Sequence, residues 1–176
     1  MKTSRRVFAL LMAIAMLVGI MPTGAYALSQ DDGNSFAVSN ATVDTNATTA
    51  QIIFYGTAAD TYTALQGNFA VVDTTNTITL TELTAAYTTD GLNSYAEVSE
   101  GKFVQSNVNG EYFDANVALL TATYSIPTGT PAGEYRVSVT LTDSMNTGWE
   151  TVSNQTYSAT ITIKTIKLIL LCCSSC

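Results

Sequence analysis

The sequence predicts an all-β chain: an antiparallel two-sheet β-sandwich, jelly-roll-like in outline, with eight or nine strands. Three observations predict it. The 176 residues are 47% hydrophobic but only 12% charged, and Thr, Val, Ile, Tyr and Phe are abundant, which suits pleated strands better than helices. Short apolar segments alternate with polar residues at a period of two, placing one face in a core and a Thr-rich face in water. Gly, Asn, Asp and Pro punctuate these segments at short intervals, and no convincing amphipathic helix interrupts them.

The elements follow in order. Phe36 to Asp44 is a first strand, and Thr49 to Thr57 a second built around Ile52-Ile53-Phe54-Tyr55. Leu65 to Asp73 is a third, with Leu65, Gly67, Phe69 and Val71 on one face. A turn over Asp73-Thr-Thr-Asn76 leads to Thr77 to Thr84, where Ile78, Leu80 and Glu82 oppose Thr77, Thr79, Thr81 and Leu83. Residues 85 to 114 are less regular. Ser94 to Val98 and Lys102 to Gln105 read there as short strands around Glu100-Gly101, and Asn107 to Gly110 reads as a turn. Asn116 to Ile126 alternates cleanly. The loop Pro127 to Gly133 follows, with Pro131 fixing its entry and Gly133 free to take positive φ. Glu134 to Thr142 then buries Tyr135, Val137, Val139 and Leu141, and Gln155 to Lys164 buries Tyr157, Ala159, Ile161 and Ile163. Phe54, Phe69 and Tyr124 also fall on apolar faces. A chain of this length is enough for one such core.

The domain plan has four parts. Residues 1–27 read as a secretory signal: Lys2, Arg5 and Arg6 precede the apolar run Val7 to Ile20, and Ala25-Tyr26-Ala27 is a small-x-small cleavage site. That run of about 14 residues is short of the roughly 20 needed to span a bilayer, so no membrane span is expected after signal cleavage. The pattern resembles that of a secreted protein of a Gram-positive bacterium. Residues 28–35 form a polar leader, 36–164 the sandwich, and 165–176 an atypical tail holding Cys172, Cys173 and Cys176, the only cysteines in the chain. No disulfide can therefore staple the body, and the tail reads more simply as an aberrant end than as a metal site.

Composition excludes several chemistries. With no histidine there is no Ser-His-Asp or Cys-His nucleophile system, no His-ligated zinc and no imidazole proton shuttle. The net charge of −7 argues against nucleic acid. Loss of residues 1–27 would remove three basic side chains and no acidic one, deepening that imbalance. Glu97, Glu100, Glu111 and Asp114 gather in the irregular middle, but nothing in their spacing selects a catalytic pair, and they read as solvated loop charges. Asp31-Asp-Gly-Asn34 and Asp143-Ser-Met-Asn146 offer oxygen ligands that could attract Ca2+. Neither matches a twelve-residue calcium loop, and turn formation accounts for both. No cofactor and no enzyme activity are expected.

A binding face for sugars would need exposed aromatic rings. Trp149, between strands in Thr147-Gly-Trp-Glu150, is the first candidate, followed by Tyr95 and Tyr112; Tyr62 and Tyr87 also fall in loop-like segments.

The stretch Asn116 to Thr142 resembles the cohesin family and related bacterial carbohydrate-binding sandwiches. It carries Leu119-Leu-Thr-Ala-Thr-Tyr-Ser-Ile-Pro127 and then Thr130-Pro-Ala-Gly-Glu-Tyr-Arg-Val-Ser-Val139. Leu65-Gln-Gly-Asn-Phe-Ala-Val71 looks like the family's Gly-aromatic strand, Thr77 to Leu83 like the strand after it, and Thr160-Ile-Thr-Ile163 like its last. Around Asp73 the family's Tyr-Asp-Pro is replaced by Val72-Asp73-Thr-Thr-Asn, and residues 85–114 show no match. The resemblance implies a secreted or cell-surface, non-catalytic interaction domain that binds a dockerin-like protein partner in an extracellular assembly serving polysaccharide metabolism. The alternative is a carbohydrate-binding module recognising a polysaccharide through exposed aromatics, ranked second because such aromatics are few.

Overall fold

The computed structural model describes residues 28–29, 35–57, 62–73, 77–146 and 155–165. Two sheets face one another, as the alternating pattern requires. The first, in the order β1-β2-β4-β9-β6, contains β1 (Leu28–Ser29), β2 (Phe36–Ser39), β4 (Thr49–Gly56), β9 (Val117–Ser125) and β6 (Thr79–Ala85). The second, in the order β3-β11-β10-β5-β8-β7, contains β3 (Ala41–Asp44), β11 (Gln155–Lys164), β10 (Gly133–Asn146), β5 (Tyr62–Val71), β8 (Lys102–Asn107) and β7 (Leu92–Glu97). A 3-10 turn, Val98–Glu100, joins β7 to β8.

Side chains from the inner faces of both sheets make one core. Ile52, Phe54, Leu120, Ala122 and Tyr124 come from the first sheet, and Leu65, Phe103, Val137, Val139, Leu141 and Ile161 from the second. An aromatic chain crosses the interlayer: Phe36 packs edge-on to Tyr62 at 4.9 Å, Phe54 lies 5.9 Å from Phe103, and Phe103 lies 5.6 Å from Phe69. Such offset and tilted contacts add to the area the rings bury.

The structure differs from the sequence expectation in several places, each for a local reason. Residues 36–44 are two strands in different sheets, so the described residues hold ten strands of four residues or more beside the two-residue β1. At the crossing, side chains stand in for backbone. Ser39 Oγ accepts from Ile53 N at 2.8 Å in one sheet, and Asn40 Oδ1 accepts from Thr160 N at 2.8 Å in the other. The chain keeps its direction as it changes sheet, which makes β3 parallel to β11 while every other pairing among the described residues is antiparallel. Residues 28 and 29, read as leader, pair with β2.

In β6 a register shift between Leu80 and Glu82 reverses the expected alternation, so Ile78 and Leu83 are buried and Glu82 is exposed. Likewise β10 does not end at Thr142. A bulge between Leu141 and Asp143 resets the phase, and Asp143-Ser-Met-Asn146, read as a turn, continues the strand with Ser144 buried against β5. The left-handed residue of the loop after β9 is Gly129, at φ 87°, and not Gly133, which opens β10. Thr130 closes that loop by donating through both N and Oγ1 to the Pro127 carbonyl. Tyr62, expected in a loop, begins β5 and is buried.

Candidate functional site

The outer face of the six-stranded sheet is built from the residues that alternate out of the core. Its rows can be read from the strand register. Tyr95 of β7 lies opposite Val104 of β8, which lies opposite Gln66 of β5, which lies opposite Asp143 of β10. The next row toward the start of β5 is Asn93, Ser106, Ala64 and Met145, and on the other side stand Glu97, Lys102, Asn68 and Thr140. Tyr95 is 63% exposed, Val104 38% and Met145 36%, and Val72, just past β5, is 47% exposed. No large hydrophobic side chain is comparably exposed on the strands of the other sheet among the described residues. That sheet shows a polar array in which Thr49, Ser125 and Thr79 stand in one row and Gln51, Thr123 and Glu82 in another. Apolar side chains left in water on a flat sheet face mark a surface suited to contact.

Charge frames this apolar row. Glu97 is held beside Tyr95: Ser99 Oγ donates to its Oε1 at 2.6 Å and the Tyr95 hydroxyl to its Oε2 at 3.4 Å. The Ser99 hydrogen bonds, first, then the Tyr95 hydroxyl and the Lys102 charge, keep the Glu97 carboxyl below its ordinary range. Lys102 is paired with Glu100 across the 3-10 turn, and that partner raises the ammonium above its usual value. Further along the sheet, Asp73 accepts from Arg136 N at 2.5 Å and lies 3.4 Å from its Nε.

The sequence candidates separate here. Tyr95 lies in this face. Tyr112 is 48% exposed but belongs to the loop between β8 and β9, at the end of the sandwich, near Val108 at 67%. Its neighbour Phe113 donates its N–H to the Tyr62 carbonyl at 3.0 Å. Trp149 lies outside the described residues, as do residues 1–27, Asp31 to Asn34 and the cysteine tail. Tyr87 is half-buried, edge-on to Phe113, with its hydroxyl donating to Asp114 at 2.8 Å. Burial first, and then Asp114, push that phenol above its usual value. Three of the four carboxylates of the middle segment are thus engaged separately: Glu97 with Ser99, Glu100 with Lys102, Asp114 with Tyr87. Among the described residues no three His, Cys, Asp or Glu side chains form a group that could hold a metal.

Val104 and Met145 were missed by the sequence reading. Val104 alternates with Phe103 and Gln105 in a segment where either phase looks plausible, and Met145 faces outward only because of the β10 bulge.

No protein-family profile matches the chain, and no curated protein matches it by sequence. Its fold does have solved counterparts. The chain adopts a cohesin-like β-sandwich. The third ScaB cohesin of R. flavefaciens, solved in complex with a group 1 dockerin, is 15% identical with a TM-score of 0.56, over 77% of this chain and 99% of that one. A cohesin module from a family 33 glycoside hydrolase of Clostridium perfringens is 15% identical with a TM-score of 0.53, over 75% and 97%. The seventh ScaB type I cohesin of Pseudobacteroides cellulosolvens is 14% identical with a TM-score of 0.54, over 74% and 92%.

Proposed function

We propose that this chain is a non-catalytic interaction module, secreted or held at the cell surface, that binds a dockerin-like protein through the outer face of the six-stranded sheet. The observation that carries the reading is the exposed pair Tyr95–Val104, with Met145 two strands from Val104 in the next row of the same face, on a fold whose solved counterparts include cohesins in dockerin complexes. The signal-like sequence at residues 1–27 supports export. Among the described residues no helix is long and apolar enough to cross a membrane.

The test is capture of purified dockerin modules by the immobilised chain from Leu28 onward, followed by titration calorimetry of any that bind. A dockerin bound in the micromolar range or tighter is expected. The Val104→Asp variant, which places a charge in the middle of an apolar contact, should weaken it at least about tenfold while the fold is retained by circular dichroism. No capture from a broad panel, with retention on insoluble cellulose, xylan or starch, would replace this reading by a carbohydrate-binding one centred on Tyr112 and Trp149. N-terminal sequencing of the chain recovered from a secreting host should begin at Leu28.

A further inference from the structure

The face described above has a charge as well as a shape, and the charge says what kind of surface fits it. Every described basic side chain stands beside an acid: Lys102 pairs with Glu100, Arg136 with Asp73, and Lys164 lies opposite Asp44 in the β3–β11 register. The acids are in excess, 14 against 7 in the whole chain, so many carboxylates have no cation to answer them. At the exposed row itself, Glu97 flanks Tyr95 on β7, and Asp143 closes the row on β10. The one cation on that part of the face among the described residues, Lys102, pairs with Glu100 and lies opposite Glu97 in the β7–β8 register, so two acids share it. Glu97 is also fixed in place by Ser99 and Tyr95, so its charge is presented at a set position instead of on a wandering side chain. A docking surface thus consists of an apolar strip with net negative charge at both ends.

We propose that the occupant of this face is a protein surface presenting Lys and Arg side chains around an apolar contact, and that this charge match steers its approach. The inference rests on the docking reading above and adds the chemistry of the partner to it. Oppositely charged patches raise the rate of encounter and suppress wrong partners, and salt screens that effect over about 10 Å at 0.1 M. An acidic partner would meet like charge at both ends of the strip.

The test uses a dockerin module captured by the full mature chain, with association and dissociation followed by surface plasmon resonance. Between about 50 and 500 mM NaCl the association rate constant should fall by roughly tenfold or more, with the dissociation rate changing less. The double variant Glu97→Gln with Asp143→Asn should lower the low-salt association rate several-fold and flatten its salt dependence. Glu82→Gln, an exposed acid on the opposite sheet, should leave that rate within about twofold. Association that is unchanged or faster at high salt, with binding retained, overturns this inference alone. An equal loss from Glu82→Gln also overturns it, since the effect would then belong to the molecule's net charge and not to this face. Failure to capture any module overturns the docking reading and this inference together.

Discussion

At the scale of single residues, the most informative side chain is one that packs well and bonds to nothing. Tyr124 of β9 is fully buried, and its hydroxyl has no hydrogen-bond partner among the described residues. Burial alone pushes its phenol well above the usual value of 10.0, because the charged form cannot be solvated in the core. The folded-state value is raised, so the contribution of the neutral ring is complete below pH 10 and is lost as pH rises above it. That loss is about 1.4 kcal/mol per pH unit for this one group. Tyr124→Phe removes the orphaned hydroxyl and keeps the ring, and should leave stability unchanged or raise it by about 1 kcal/mol. Urea denaturation at pH 8 and pH 11 checks both statements: the variant should lose less between the two than the parent. Sequence alternation placed Tyr124 on the core face. That its oxygen would be left alone depends on the neighbours the opposite sheet brings, and no spacing along β9 records them.

At the scale of elements, the connection from β7 to β8 shows how a turn and a sheet constrain each other. Gly101 ends the 3-10 turn at φ 66°, its carbonyl accepts from Phe69 N at 2.8 Å, and a Cβ there would collide with the Phe69 carbonyl. Gly129 also has positive φ, at 87°, but nothing among the described residues lies within 4 Å of where its Cβ would stand. The two positions separate backbone strain from steric conflict. Gly129→Ala should cost about 1–2 kcal/mol for the left-handed conformation alone. Gly101→Ala should cost about 1–3 kcal/mol more, because β5 and the turn must also move apart. Urea midpoints of the two variants measure the difference, and equal midpoints would mean that the close approach to Phe69 is unimportant. The pair of short strands around Glu100-Gly101 was legible in the sequence from the Glu-Gly pair. The bulges in β6 and β10 were not, since each is a property of the pairing with a strand distant along the chain.

At the scale of the whole molecule, the absence of histidine fixes the response to pH. No side chain with an ordinary pKa titrates between about pH 6 and 8. Glu97 has a lowered carboxyl value, so its contribution is present above the ordinary carboxylate range and is lost as pH falls through it. Lys102 has a raised value, so its contribution is present below the ordinary ammonium range and is lost as pH rises through it. The melting temperature is therefore expected to be flat, within about 2 °C, from pH 6 to 8. It should decline below about pH 4 and above about pH 10. Differential scanning calorimetry across that range tests it, and a transition near neutral pH would contradict it. For the docking proposed above, this means that the chain's own side of the contact should not switch with mild acidification.

The sequence by itself determined that the chain is a β-sandwich, which faces of most strands are inner, that no histidine chemistry is available, and that the surface is acidic. These are local or additive properties: a period of two is written in neighbouring residues, and charge is a sum. Only the tertiary structure decided that residues 36–44 serve two sheets, that Asp143 and Met145 lie in a strand, and that Tyr95, Val104 and Met145 share one exposed face. Those facts depend on strand pairing between segments about 10 to 120 residues apart along the chain. A single bulge in either partner reverses which side chains meet the water.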